Sequence, residues 1–169
     1  MKITIRIVAL LTLGLGLWGF SPASPQELKK LSLDDPSALG LRITADSAVK
    51  VEGRGSTRIE TAWPTTVCLA SVGGLDVEGA ALIFRARVRT ELEGRAVLEL
   101  WVSIGGKRYF SRALDKPVEG RSDWRTVETP FFAQRGQKID KAWLNIIIDG
   151  QGTVWVDDAS LLRGALPSK

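Results

Sequence analysis

The chain predicts an all-β, antiparallel sandwich, and three observations predict it. Beyond residue 37 the sequence breaks into short strand-like runs separated by turn residues, at a spacing common in sandwiches and barrels. No long stretch carries apolar residues at the helical period. The last segment, Gly150-Gln-Gly-Thr-Val-Trp-Val-Asp-Asp-Ala-Ser-Leu-Leu162, leaves a glycine turn as an alternating strand, is interrupted by two carboxylates, and resumes apolar.

In chain order, Lys2 and Arg6 precede an apolar run from Ile7 to Phe20 and then Ser21-Pro22-Ala23. A basic head, a short greasy segment and small residues before a cut mark a secretory signal, with cleavage expected after Ala23. The run would span about 21 Å as a helix, short of a roughly 30 Å hydrocarbon core. An uncleaved membrane anchor is the alternative, but extending the run back to Ile3 would bury Arg6. No Cys follows the run, which argues against a lipid anchor there. The expected organisation is a signal helix at 1–23, a leader at 24–39, a sandwich at 40–163 and a tail at 164–169. The expected location is secreted or periplasmic, with no stable membrane insertion after cleavage.

The chain has a net charge of +4, and losing Lys2 and Arg6 leaves +2. That mild excess, spread among many carboxylates, does not argue for a nucleic-acid partner. Cys68 is the only cysteine, so no internal disulfide can form. Its setting, Val67-Cys68-Leu69, reads as a strand with a small buried thiol.

The leader holds Pro25 and Pro36 around Glu27-Leu-Lys-Lys-Leu-Ser-Leu33, which fits either one weak helical turn or an extended segment. Early strands are expected at Gly40–Thr44, Ala48–Glu52, Arg58–Trp63 and Thr66–Val72. In Ala81–Thr90, Leu82, Phe84, Ala86 and Val88 share one face, and Arg85, Arg87 and Arg89 the other. Glu93-Gly94 reads as a turn into Ala96–Ile104, where Ala96, Leu98, Leu100, Val102 and Ile104 oppose Val97, Glu99, Trp101 and Ser103. Gly105-Gly106 then turns into Lys107–Ala113. Strands at Trp124–Phe132 and Lys141–Ile148 follow, the latter with Leu144, Ile146 and Ile148 inward and Trp143, Asn145 and Ile147 outward.

Three elements in order carry a family resemblance. Gly79–Arg89 is a small turn before an apolar strand ending in basic residues. Gly120-Arg-Ser-Asp-Trp124 places Trp124 at the start of the next strand. Gly150–Leu162 closes the domain. Together they resemble the galactose-binding-like jelly rolls, the fold of many non-catalytic carbohydrate-binding modules, over roughly 40–163. The resemblance implies jelly-roll topology and a binding role. Trp124 and Trp155 read as packing residues whose indole N–H groups find backbone acceptors.

The polar face of Ala81–Thr90, Ala96–Ile104 and Lys141–Ile148 is the leading candidate site. Indole rings stack on the apolar faces of sugars, and planar polar groups take paired hydroxyls. Trp101 and Trp143 are therefore expected to stack, and Arg87, Glu99 and Asn145 to hold hydroxyls. The same residues also suit a solvated sheet face with cross-strand ion pairs. The excess of Arg on the face would suit an acidic glycan or another anionic partner. A second candidate is Arg108–Arg112 with Asp115 and Lys116, where one of Tyr109 and Phe110 should anchor the core and the other stay partly free. Charged residues that block an edge strand would explain the same segment.

The resemblance would place a structural calcium ligand at Asp157 or Asp158. Calcium needs six or more oxygens, and no acidic loop of regular spacing supplies them. One Asp bracing a neighbouring loop while the other is solvated is the expectation, with no cofactor. With no His anywhere, a triad base and the usual proton shuttle are missing. Gly105-Gly106-Lys107 lacks the rest of a phosphate loop and precedes a strand. A carboxylate-only hydrolase would have Glu99 as its one placed acid and no evident second. The sequence thus predicts a non-enzymatic binding domain with a glycan partner, or else a structural or protein-interaction domain that binds an envelope protein.

Overall fold

The structure, a computed structural model, describes residues 24–34 and 42–167. The expected signal helix and the start of the strand expected from Gly40 lie outside the described residues. Among the described residues eight antiparallel strands follow one another: β1 (Gln26–Leu31), β2 (Ile43–Asp46), β3 (Ser56–Thr61), β4 (Thr65–Val77), β5 (Ala80–Ile104), β6 (Lys107–Arg112), β7 (Val118–Ala133) and β8 (Ile139–Gly164).

β5 and β8 form a long central ribbon, paired from Ala81 opposite Gly164 to Ile104 opposite Ile139. Even-numbered residues of β5 face one side throughout. Leu82, Phe84, Ala86, Val88, Ala96, Leu98, Leu100 and Val102 are all closed to solvent. The same parity runs along β8 through Ala142, Leu144, Ile146, Ile148, Val154 and Val156. Because one face is apolar from end to end, the ribbon buries it by folding onto itself. The bend falls where Gly94 meets Gly150, with φ of 139° and 149°. A side chain at either position would overlap the partner strand's backbone: Asp149 O at Gly94, and Glu93 O at Gly150.

The bend makes two layers. In the first, β7 flanks the front half of β5, while β1 and β3 flank the back half of β8 and β2 pairs with β3. In the second, β4 flanks the front half of β8 and β6 flanks the back half of β5. One hydrophobic cluster draws Leu82, Phe84 and Leu161 from the first layer and Leu98, Leu100 and Ile146 from the second. The carboxylate pair that interrupts the closing strand is a β-bulge. Arg85 faces Ser160 but Arg87 faces Asp157, and Asp158 takes φ of 45°. The extra residue reverses the alternation, so Ala159 and Leu161 point into the core beyond it.

Several expectations change. Glu93-Gly94 is not a turn, and the two strands around it are one bent β5. The strands expected at Lys141–Ile148 and Gly150–Leu162 are likewise one β8. Ala48–Glu52 is loop rather than strand. Trp124 lies inside β7, which begins at Val118. The described part of the leader is extended over Gln26–Leu31 and supplies β1, hydrogen-bonded to β8.

Candidate functional site

The outward residues of the second layer line up in rows across its strands. One row reads Ser71, Trp143, Trp101 and Phe110, on β4, β8, β5 and β6. The next reads Cys68, Asn145, Glu99 and Arg112. On the other side of the Trp row, Gly73, Lys141, Ser103 and Arg108 form a third. Strand alternation sets this arrangement on the two central strands, where Glu99, Trp101, Trp143 and Asn145 alternate with the buried Leu98, Leu100, Ala142 and Leu144.

Trp101 and Trp143 thus sit directly opposite each other, both half-buried. With Cys68, Arg108 and Asn145 they line a cavity of about 240 Å³. Phe110, half exposed, tilts against Trp101 with ring centroids 5.0 Å apart. Arg108 and Lys141 both lie over the Trp143 ring, at 4.8 and 4.9 Å from its centroid. A larger cavity of about 580 Å³ lies beyond the Glu99 row, lined by Thr66, Arg95, Val97, Arg112, Ile147 and Asp149 among others.

Glu99 separates the two cavities. It is only 3% exposed, although its strand face is open. Arg112 Nε donates to one of its oxygens at 2.6 Å and Asn145 Nδ2 to the other at 3.0 Å. Burial acts to raise the Glu99 pKa, but hydrogen bonds from Asn145, Arg112 and Trp101, with the Arg112 charge, outweigh it and hold the carboxyl below its ordinary value. Glu99 is therefore a fixed anion that orients its neighbours. Asn145, having given its amide to Glu99, leaves a buried Oδ1 without a hydrogen-bond partner among the described residues. An unmet buried acceptor beside a cavity is suited to a ligand hydroxyl.

Of the expected stacking and hydroxyl-binding residues, Trp101, Trp143, Glu99 and Asn145 come together. Arg87 does not. It faces Asp157 and Thr126 on the first layer, with Arg85 and Arg89, because β5 bends between it and Glu99. Cys68 is exposed rather than buried and lines the small cavity. Partial burial raises its pKa, which keeps the thiol protonated at neutral pH. In β6 neither aromatic anchors the core: Tyr109 is 43% and Phe110 51% exposed. Phe110, Arg108, Arg112 and Lys141 were not among the expected stacking and hydroxyl-binding residues. The turn at Gly105-Gly106 sets the β6 register that brings Phe110, Arg108 and Arg112 in.

Elsewhere, Trp155 is 6% exposed and donates its indole N–H to Asp46 Oδ2 at 2.9 Å, a side-chain acceptor rather than a backbone one. Trp124 is half-buried. Asp157 braces the loop between β2 and β3, accepting from Val51 N at 2.6 Å and Glu52 N at 3.0 Å. Asp158 lies 3.3 Å from Lys30 Nζ. Among the described residues, no group of three or more His, Cys, Asp and Glu side chains is placed to hold a metal.

No family model matches the sequence, and no curated protein is similar to it. Solved structures are similar in fold. A xylan-binding domain of carbohydrate-binding module family 22 aligns over 85% of this chain and 98% of its own, at 12% identity and a TM-score of 0.53. A family 16 carbohydrate-binding module aligns over 76% of this chain and 95% of its own, at 8% identity and a TM-score of 0.53. The enzymatically active domain of tailspike protein 4 from bacteriophage CBA120 aligns over 80% of this chain but 21% of its own, at 6% identity and a TM-score of 0.56. The chain thus has the β-sandwich jelly-roll fold of carbohydrate-binding modules.

Proposed function

We propose that the protein is a secreted, non-catalytic carbohydrate-binding domain whose ligand lies on the outer face of the second layer. The observation that carries this reading is the cross-strand pair Trp101–Trp143 bordering a cavity with the unmet Asn145 acceptor. Apolar ring faces and a buried polar group converging on one small hollow suit a molecule that is apolar on its faces and hydroxylated at its rim. The fold agrees, since one solved structure that shares it is described as a xylan-binding domain. Trp101 and Trp143 stack, and Asn145 takes a hydroxyl. Arg112 and Glu99 hold Asn145 in place.

Glu99 argues against hydrolysis. A general acid must hold its proton near neutral pH, and this carboxyl is held ionised. The neighbouring rows of the face offer no second carboxylate beside it.

A glycan array probed with residues 24–169 tests the reading, followed by titration calorimetry on any hit. Trp143→Ala should weaken binding about five- to thirtyfold, in line with the loss of an aromatic contact of roughly 1–2 kcal/mol. Unchanged affinity in both Trp143→Ala and Trp101→Ala would move the site elsewhere. The alternative, an envelope domain that binds protein, draws on Tyr109 and Phe110, exposed on β6. It gains if no glycan binds. Secretion is checked by the N-terminal sequence of the exported protein, which should start at Ser24.

A further inference from the structure

The outer face of the second layer carries unequal charge. Glu99 is paired with Arg112, and Asp149 with Arg95. Two cations remain, Arg108 and Lys141, in one cross-strand row with Ser103 between them. Among the described residues neither forms an ion pair with a carboxylate.

Both cations are gathered over the same indole, at 4.8 and 4.9 Å from the Trp143 centroid. The negative ring face attracts each of them, but the two like charges repel, and among the described residues no carboxylate lies within 4 Å of either. A neutral sugar stacking on Trp143 must push these side chains aside and gains nothing from them. An anionic sugar uses them as partners. The guanidinium matches a carboxylate or sulfate with two parallel hydrogen bonds, and the ammonium adds a point charge beside it.

We propose that this site selects anionic glycans, with the charged group of one sugar held between Arg108 and Lys141 and its ring lying at Trp101 and Trp143. The inference rests on the carbohydrate reading of the same face. The two cations read the charge, and the aromatic pair and Asn145 read the sugar.

Titration calorimetry of residues 24–169 against three oligosaccharides of equal length provides the test: an oligouronate, a sulfated oligosaccharide and a neutral xylo-oligosaccharide. At least one anionic ligand should bind about tenfold or more tighter than the neutral one at about 50 mM salt. The gap should narrow near 0.5 M salt, where exposed charges are screened. The two anionic arms tell whether carboxylate or sulfate is the group preferred. In the double variant Arg108→Gln/Lys141→Gln the preference should fall to within about twofold. Arg135→Gln, which removes one positive charge in the turn before β8 and away from the face, should keep it. Arg108 and Lys141 are exposed, so the double variant should melt as the wild type does. Equal binding of neutral and anionic ligands by the wild type overturns the charge selectivity alone, as does a preference that survives the double variant. Failure to bind any of the three, with no hit on the array, overturns the carbohydrate reading as well.

Discussion

Glu99 shows how a single side chain can be placed on a binding face without being offered to the ligand. Its side chain is 4% exposed while that of Arg112 is 38% exposed, so the pair has one end inside the face and one at its surface. Glu99→Gln keeps the shape but removes the charge and leaves one acceptor oxygen for two donors, so one of the hydrogen bonds from Arg112 and Asn145 is lost and its donor faces an NH2 group. The expected cost is about 1–3 kcal/mol, read as a lower urea midpoint with an unchanged slope. A shift below about 0.5 kcal/mol would show that the pair contributes little. Glycan affinity should also fall, because Asn145 loses its anchor. Cys68 shows the limit of local reading at this scale. Val67-Cys68-Leu69 is apolar throughout, so alternation has no contrast to work on, and only Leu69 is buried. The thiol's outward position follows from pairing with Asn145, which no local signal reports.

At the scale of the element, Gly94 and Gly150 decide the fold. Each has a backbone conformation that side chains rarely adopt, and each leaves no room for one. Gly94→Ala or Gly150→Ala should therefore destabilise by roughly 3 kcal/mol or more, since strain and backbone overlap add. Loss of soluble protein or a large drop in melting temperature would agree, whereas a wild-type melt for either variant would refute the corner. The same element explains what the sequence leaves open. Alternation identifies the inward residues from Leu82 to Val88, from Ala96 to Val102 and from Leu144 to Ile148, because each run has one buried face. It does not distinguish a hairpin with an odd number of loop residues around Glu93-Gly94 from one strand that bends there, since both keep the same parity. A hairpin would make the two runs neighbours and set Arg87 beside Trp101. The bent strand sends them to different layers, which is why Arg87 leaves the site while Trp101 and Trp143, paired across strands, stay.

Across the whole molecule, stability has no disulfide to rest on, and one irregular segment is held by carboxylates instead. Asp46 Oδ1 accepts from the backbone N–H groups of Ala48 and Val49, Asp157 Oδ2 from Val51 and Glu52, and Asp34 Oδ1 from Arg54 and Gly55. The three acids come from different parts of the chain, so the loop between β2 and β3 is tied to the end of β1, to β2 and to β8. Hydrogen bonds from Gly55 N and Arg54 N hold the Asp34 carboxyl below its ordinary pKa. The Trp155 indole, followed by Val49 and Ala48, does the same for Asp46 against a smaller opposing effect of burial. A carboxyl with a depressed folded pKa contributes stability that is fully present above its unfolded value, about 4 for Asp and Glu, and is lost as pH falls through the folded value. Glu99 is lowered too, so all three act in the same direction. With no His in the chain, no imidazole titrates between about pH 5 and 8. The melting temperature should therefore stay nearly level from about pH 8 to 5 and fall below about pH 4. Asp34→Asn and Asp46→Asn keep an acceptor oxygen but remove the charge. Each should lower the melting temperature at pH 7 and much less at pH 3, where the wild-type carboxyls are themselves becoming neutral. Thermal melts of both variants and the wild type at the two pH values decide the matter, and equal losses at pH 7 and pH 3 would show that these charges do not hold the loop.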